Sequence, residues 1–559
     1  MFRCHVSMML FLILAGAASG AIYVDDDEGA GNFTIIQDAI NASKIGDVIV
    51  VFNGTYSENL VVNRSIILKG EDGPVVKGSG LSSPLITITS DNVTLEGFTF
   101  SGCLNDSCDA GAVLVLANGC KLLNSTISGS TGHGLCLLDS ENHLVSGNQI
   151  HDNRYAGIYL TDVNFSQILG NQVLDNGKCA IHIENSRYNG VRANDVYDNG
   201  AVGIHMAGAM ANELIANNIR NNAEDGIQML NSMYNILVAN EIMANGLIGI
   251  NVYESRNNFI LSNVIQNCGD SGILCLASSN DNVIARNTIS NNNHNGIAIY
   301  GSNFNTISEN VASNNRENGI SLRDNSTKNI ITYNEISGSS RFGFSFDESS
   351  SNFVQNNEIF DNFNGLVMMH SSDNTLVDNE VHDNAFGISL EFVQYIVIST
   401  NEICNNTQDG LRLVRCDRSK IWDNEIRDNH VDGLRVVRSE HTIISDNDIE
   451  NNSEYGVQLL DKSNNNLFMF NVVRNSGLGG LYLYEGETNL FSSNAFIDNQ
   501  NFNVKDNDGN KWLSNFYSDY LGEDLDGNMF GDDPYLIRGH RNAISMDMRP
   551  FIHSRWVVN

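Results

Sequence analysis

Apolar and polar residues alternate in this chain over two to four positions at a time, break off at a turn residue, and then begin again. One cycle reads Gly226-Ile227-Gln228-Met229, then Asn235-Ile236-Leu237, then Asn240-Glu241-Ile242-Met243-Ala244-Asn245, and the next opens at Gly249. A period of two belongs to a strand whose successive side chains face opposite ways, and no stretch of the repeat sustains a helical 3.6-residue period. The pattern predicts three short strands per cycle, separated by three tight corners.

The cycle itself recurs. From Asn148 to Asn494, sixteen asparagines follow one another at steps of 22 to 24 residues, and almost every one has Ile, Val or Phe two residues later. A glycine column runs beside them from Gly134 to Gly480, with Ala180 as its one gap. A fixed period of this size marks a solenoid, in which each repeat buries its apolar face only against its neighbours. Strands stacked in parallel at about 4.8 Å per coil, over roughly seventeen coils, predict a rod on the order of 80 Å long. The predicted fold is all-β, a right-handed parallel β-helix. A leucine-rich repeat of similar period requires Leu-x-x-Leu-x-Leu and a helical return, which this chain lacks. Asparagine suits the corners because it tolerates left-handed backbone angles and its amide can bond the same amide one turn above. The column is therefore read as a structural ladder rather than a binding strip.

Composition changes the picture in two respects. The chain has 559 residues, 42% of them hydrophobic, only 4 Pro, and a formal net charge of −34. Length alone suggests several domains, but the repeat overrides that expectation. The charge argues against nucleic acid as a partner, since a phosphate backbone needs a basic face. Met1 to Gly20 carries Arg3, an apolar run from Met8 to Ala15 and small residues before a polar chain, which predicts a secretory signal peptide and not a membrane span. The expected location is therefore secreted or cell-surface.

Export gives meaning to the Asn-x-Ser/Thr sequons at Asn32, Asn41, Asn53, Asn63, Asn92, Asn105, Asn124, Asn164, Asn325, Asn405 and Asn451. Nine cysteines remain after the signal, an odd number that cannot all pair. Cys103 and Cys108 are the expected disulfide, and Cys275 reads as a small buried hydrophobe. The expected organisation is a signal over residues 1–20, an N-terminal cap with the first coils over 21–84, repeats over 85–500 and a C-terminal cap over 501–559.

After the signal, Thr34 and Gln37 fit a capping box, and Ile36, Ala39 and Ile40 form one apolar helical face that would cover the open end of the first coil. The run from Phe33 through Asn59 resembles the opening of the pectin-lyase-like superfamily, and the Gly-Ile and Asn-x-Ile turns look like the NosD-type, carbohydrate-binding and sugar-hydrolysis β-helix repeat. Asn515 to Tyr520, Asp524 to Asn528 and Asp533-Pro534-Tyr535 are similar to the end segment of secreted archaeal members. The resemblance implies an extracellular protein that binds polysaccharide or envelope glycan. It leaves open a lyase, hydrolase or epimerase acting on an acidic glycan, a structural envelope component, and a NosD-like accessory in copper-site assembly. The Asp-Pro-His-Asp motif of alginate epimerases is absent, and no complete catalytic motif is present.

Candidate chemistry sits on the outward face of the strand after each repeat glycine. Asp347, Glu348, His370 and Glu391 could supply a general acid and base. Arg323 and Arg341 lie to one side of them, and Arg412, Arg415, Arg435 and Arg438 to the other. Guanidinium groups match the carboxylates of a uronic-acid polymer. His182 over His205, one coil apart, could share a soft divalent ion. Asp524, Asp526, Asn528, the Phe530 carbonyl and Asp532 stand at positions 1, 3, 5, 7 and 9 of an EF-hand-like loop, all hard oxygen donors suited to calcium. That loop lacks the usual Gly at its sixth position, Met529, and the bidentate Glu at its twelfth, Tyr535.

Overall fold

A computed structural model describes residues 20–27, 29, 31–78, 84–102, 111–507, 509–539 and 544–553. The signal segment Met1–Ser19, Cys103 with Cys108, and the sequon at Asn105 lie outside the described residues. The chain forms an all-β parallel solenoid of about 21 turns, with coils about 23 residues apart. The count exceeds the asparagine column because several coils precede Asn148, where the column has not begun, and because strand pairing runs on to Phe516–Tyr517 after it ends. Two compact units divide the chain, Met1–Asn176 and Gly177–Asn559.

In the first unit the one helix among the described residues, Ile36–Ala42, buries Ile36, Ala39 and Ile40 and is followed by the strand Val48–Val51. The expected Thr34–Gln37 capping box does not form. Ile35 is the N-cap and makes no side-chain bond; the carboxylate of Glu58 instead accepts from the backbone N–H of Ile36 at 2.8 Å and of Gln37 at 2.9 Å. A carboxylate at a helix N-terminus satisfies two orphan donors and the helix dipole together. The Gln37 side chain is occupied by Val61, accepting from its N–H at 2.7 Å.

The second unit shows the repeat in its regular form. Ile227–Leu230, Ile236–Val238 and Glu241–Met243 pair in parallel with Ile250–Tyr253, Phe259–Leu261 and Val264–Gln266 of the next coil. Ile227, Met229, Leu237 and Ile242 are fully buried, so the alternation seen in the sequence is the inside and outside of the coil. Each corner contains a left-handed residue: Asn231, Tyr234, Ala239 and Ala244 have φ of 48°, 59°, 54° and 52°. The ladder asparagine is not that residue. The left-handed position is the one before it, Ala239 before Asn240 and Ala244 before Asn245.

The repeat glycine is required by a close approach, not by φ. A Cβ at Gly226 would stand 2.6 Å from Cγ2 of Ile242 and 2.7 Å from the Gly249 carbonyl oxygen.

Three asparagine ladders, not one, run through the corners. Asn194, Asn217, Asn240 and Asn263 bond amide to amide at 2.9 to 3.0 Å. Asn212, Asn235 and Asn258 form a second ladder at 3.1 to 3.2 Å, and Asn199, Asn222 and Asn245 a third at 2.9 to 3.0 Å. An amide both donates and accepts, so the last amide of a ladder still needs an acceptor beyond it. The last amide of the first ladder, Asn515, donates to buried Asp547 at 3.0 Å, and Asn510 of the second donates to Asp506 at 2.9 Å. Aromatic rings close that end: Trp512 stacks on Phe491 at 4.2 Å and Tyr535 on Tyr517 at 3.7 Å.

Candidate functional site

The strands that follow the repeat glycines in the second unit place every other side chain outward. Parallel pairing in register therefore turns residues 23 or so apart into a row. Leu411–Val414, Leu434–Val437, Tyr455–Leu460, Gly479–Tyr484 and Val504–Asp506 align Arg412, Arg435, Gln458, Tyr482 and Lys505 in one such row. At about 4.8 Å per coil the row is about 19 Å long. The residue before each glycine forms a flanking row, and here it holds Phe386, Asp409, Asp432 and Tyr455.

The two rows interlock. The Arg412 guanidinium lies 5.7 Å from the Phe386 ring centre, Tyr455 stacks on Tyr482 at 5.2 Å, and the Lys505 ammonium is 5.9 Å from the Tyr482 ring. Cations over aromatic faces keep most of their charge for a ligand while gaining modest attraction from the ring. Arg435 Nη1 is 3.9 Å from a carboxylate oxygen of both Asp409 and Asp432, which are 3% and 1% exposed. Burial, partly offset by Arg435, raises the Asp409 pKa above the usual carboxylate range; burial and then the Asp409 charge push Asp432 up to about 7.

In the turn that follows these strands a second strip is exposed. Arg415 lies 4.8 Å from the Phe392 ring, which stacks on His370 at 5.1 Å, while Arg418 donates to the Tyr395 hydroxyl at 2.8 Å. Arg438 pairs with Asp461 at 3.3 Å. Of the arginines expected to bind substrate, Arg412 and Arg435 thus share the strand row, and Arg415 and Arg438 share the turn row. Arg323 stands apart, several coils earlier, 5.7 Å from the Tyr300 ring.

The carboxylate group is less unified. His370 Nδ1 is 3.6 Å from Asp347, so these two meet. Met369 separates Asp347 from Glu391 in the strand register, a step of two coils or about 9.6 Å. Glu348 and Glu391 are exposed, and Glu348 occupies a left-handed turn position with φ of 50°. The arrangement is an open surface with its carboxylates spread along the coil axis.

His182 and His205 are in register with ring centres 4.5 Å apart, and burial lowers the His205 pKa. Two imidazoles are not a complete ligand set for copper, and among the described residues no group of three or more His, Cys, Asp and Glu comes together to hold an ion. The residues present do not fit that metal. In the C-terminal loop the Asp524 carboxylate accepts from the backbone N–H of Gly527, Asn528 and Met529 at 2.8 to 3.0 Å, and Asp532 from Leu525 at 2.7 Å. Those bonds organise a turn whose five oxygen donors remain exposed or half-buried. Cys275 is fully buried, and burial pushes its thiol up to about 12.

Asp409, Asp432, Tyr455, Tyr482 and Lys505 complete the site but do not stand out when only the residues two and four after each glycine are followed for charge. The signal was the pair Asp409-Gly410 and Asp432-Gly433, an Asp-Gly repeated at the coil period.

The family described as "Right handed beta helix region" matches residues 180–332, 324–473 and 416–519. That described as "Periplasmic copper-binding protein (NosD)" matches residues 40–225. Over 122 residues the chain is 32% identical to a cell surface glycoprotein of Methanothermus fervidus, a segment that makes up 22% of this chain and 20% of that protein. The match spans about one fifth of the relative's length. Among solved structures, the periplasmic alginate epimerase AlgG shares 16% identity over 55% of this chain and 76% of its own, with a TM-score of 0.39. PfbA, a surface adhesin of Streptococcus pneumoniae, shares 12% over 67% and 92%, with a TM-score of 0.33. The PL6 family alginate lyase AlyGC shares 10% over 89% and 100%, with a TM-score of 0.38. Likeness at this level carries no information about activity.

Proposed function

The chain belongs to the right-handed β-helix family, and from that premise we propose that it is an exported surface protein that binds an acidic glycan along the row Arg412, Arg435, Gln458, Tyr482 and Lys505. One observation carries the reading: in a chain of net charge −34, three cations and a tyrosine fall into one register-locked outward row, with Arg415 and Arg418 exposed beside it. Such a concentration of cations opposes the net field of the molecule, and a strip of this kind attracts a polyanion locally. The coil spacing of about 4.8 Å is close to the length of one sugar unit in an extended polysaccharide, so a glycan lying along the coil axis would meet one outward side chain per unit. Guanidinium groups pair with uronate carboxylates in two-point fashion.

Export is supported by the cell surface glycoprotein of Methanothermus fervidus and by the periplasmic NosD family, both of which lie outside the cytoplasm by their names. No helix among the described residues is long and apolar enough to cross a membrane. A glycan array that includes uronate polymers and neutral glycans tests the proposal. Wild type should retain uronate polymers, and Arg412→Ala with Arg435→Ala should weaken retention roughly tenfold or more and flatten its salt dependence. Equal retention by the double variant, or a preference for neutral glycans, would overturn it.

A further inference from the structure

Asp409 and Asp432 stand one coil apart, each directly before the glycine that opens its strand. Asp409 accepts from the Asp432 backbone N–H at 3.3 Å, and Asp432 accepts through Oδ1 from the Tyr455 N–H at 3.1 Å. Oδ2 of Asp432 is buried and has no hydrogen-bond partner. Its nearest cation, Arg435, is 3.9 Å away and equally far from Asp409. That distance is well beyond the roughly 2.7–2.9 Å of a charge-assisted hydrogen bond. Arg435 is itself 34% exposed, with its Nε unbonded. One guanidinium therefore faces two buried carboxylates inward and solvent outward, without being locked to either.

The other charged and titratable groups around the pair are Arg412, Glu454 and Tyr455. With Arg435 and a single ionised carboxylate the cluster is neutral; with both carboxylates ionised it carries an extra buried negative charge. Two carboxylates at this separation oppose each other's ionisation and titrate as a coupled pair. The position before the glycine does not itself require acid, because Asn295, Asn318 and Asn364 occupy the same place in other coils.

We propose that Asp409 and Asp432 are internal counter-ions of Arg435 that share one proton, so that proton uptake by the pair releases the guanidinium to the carboxylate of an acidic glycan. The proposal rests on the glycan reading above. Binding and protonation are then linked: one proton passes from solvent to the buried pair, one external carboxylate takes its place at Arg435, and no covalent bond changes. Asp409 and Asp432 act through Arg435 and are positioning residues. Capture would be stronger in mildly acidic surroundings than at alkaline pH, although the glycan's own charge is constant over that range.

The test uses the full chain and polygalacturonate as probe, with dextran as a neutral control, at pH 5, 6, 7 and 8. Wild type should bind polygalacturonate roughly tenfold more tightly at pH 5 than at pH 8, the weight of one pKa unit of coupling between proton and ligand. Asp409→Asn with Asp432→Asn should hold the acid-pH affinity at every pH, and Arg435→Ala should bind weakly throughout. A pH profile in the Asn variants equal to that of wild type would overturn the proposal. A second measurement separates its failure from failure of the glycan reading. With carbon-13-labelled aspartate, NMR should show one carboxyl titrating near neutral pH that vanishes in Asp432→Asn, and the Arg435 guanidinium resonances should follow the same midpoint. If polygalacturonate does not bind but this titration is present, the glycan reading fails and the shared proton stands. If no such titration is found, the shared proton fails whatever binds.

Discussion

Replacing Asn240 by Leu keeps the number of side-chain heavy atoms but removes an amide whose every polar atom is bonded. Its Nδ2 donates to Asn263 Oδ1 and to the Leu214 carbonyl, both at 2.9 Å, and its Oδ1 accepts from the Asn217 backbone N–H at 3.0 Å and from Asn217 Nδ2 at 2.9 Å. The residue is 1% exposed, so water cannot take over these bonds. Leucine leaves two buried donors on Asn217 without acceptors, while Asn263 Oδ1 keeps the Asn240 backbone N–H at 2.9 Å. An orphaned buried donor costs about 1–3 kcal/mol, so the pair costs about 2–6 kcal/mol. Burying the leucine methyls returns about 1–2 kcal/mol, for an expected net loss centred on about 2–3 kcal/mol and at most about 5 kcal/mol.

Because each coil touches only its neighbours, the damage should be local. Hydrogen exchange should accelerate at the corners from Asn217 to Asn263 and stay unchanged near Asn424 and beyond, and the urea midpoint should fall. Asn240→Asp sharpens the test. It keeps the acceptor for Asn217 but turns a second oxygen toward Asn263 Oδ1 and the Leu214 carbonyl, which only a protonated acid can satisfy. Its folded-state pKa is therefore raised above the unfolded value of about 3.9. The variant should be least harmed below that value and increasingly harmed as pH rises through the folded pKa. Wild-type exchange and midpoint in Asn240→Leu, or a defect spread evenly along the chain, would refute the ladder as a source of stability.

Gly226→Ala should cost about 1–3 kcal/mol in urea unfolding, because its Cβ would meet Ile242 Cγ2 and the Gly249 carbonyl oxygen inside contact distance; an unchanged midpoint would show that the coils can separate freely. Asp432, with its pKa raised to about 7, gives a stability contribution that is full below about 3.9 and is lost as pH climbs toward 7. Asp432→Asn should accordingly gain on wild type between pH 5 and pH 8, read from paired urea midpoints, and a constant difference would contradict the raised pKa. Calcium at the loop from Asp524 to Asp532 is expected to relieve repulsion among its carboxylates and slow exchange from Lys511 to Tyr535. Exchange indifferent to chelator would leave Asp524 to turn capping alone, and Asp524→Ala should then loosen the loop with or without the ion.

The sequence by itself determined the fold, because a solenoid repeats one local problem many times. Strand periodicity of two, a small residue where coils touch and an amide at the corner are all properties of residue type and spacing, and sixteen repetitions made the Asn240 column plain. The other two ladders were harder to see because Ile396, Ser419, Thr442, Cys268 and Ser339 interrupt them. Residue type also blurred which corner residue is left-handed: Asn tolerates that backbone, yet Ala239 adopts it and Asn240 uses its amide instead.

What only the tertiary structure decided are the contacts between coils. Glu58 caps a helix that begins 22 residues before it, in place of Thr34, and the ladders end on Asp506, four residues before Asn510, and on Asp547, 32 residues after Asn515, both out of step with the coil period. The arginines were visible as a concentration of charge. That Arg435 looks inward at Asp409 and Asp432 while Arg415 lies over Phe392 depends on the register of neighbouring coils and on which side chains share a row. Register carries such pairings across 20 or more residues at a time, so a local pattern cannot state them, and burial, the quantity that makes two aspartates share a proton, belongs to the packed coil alone.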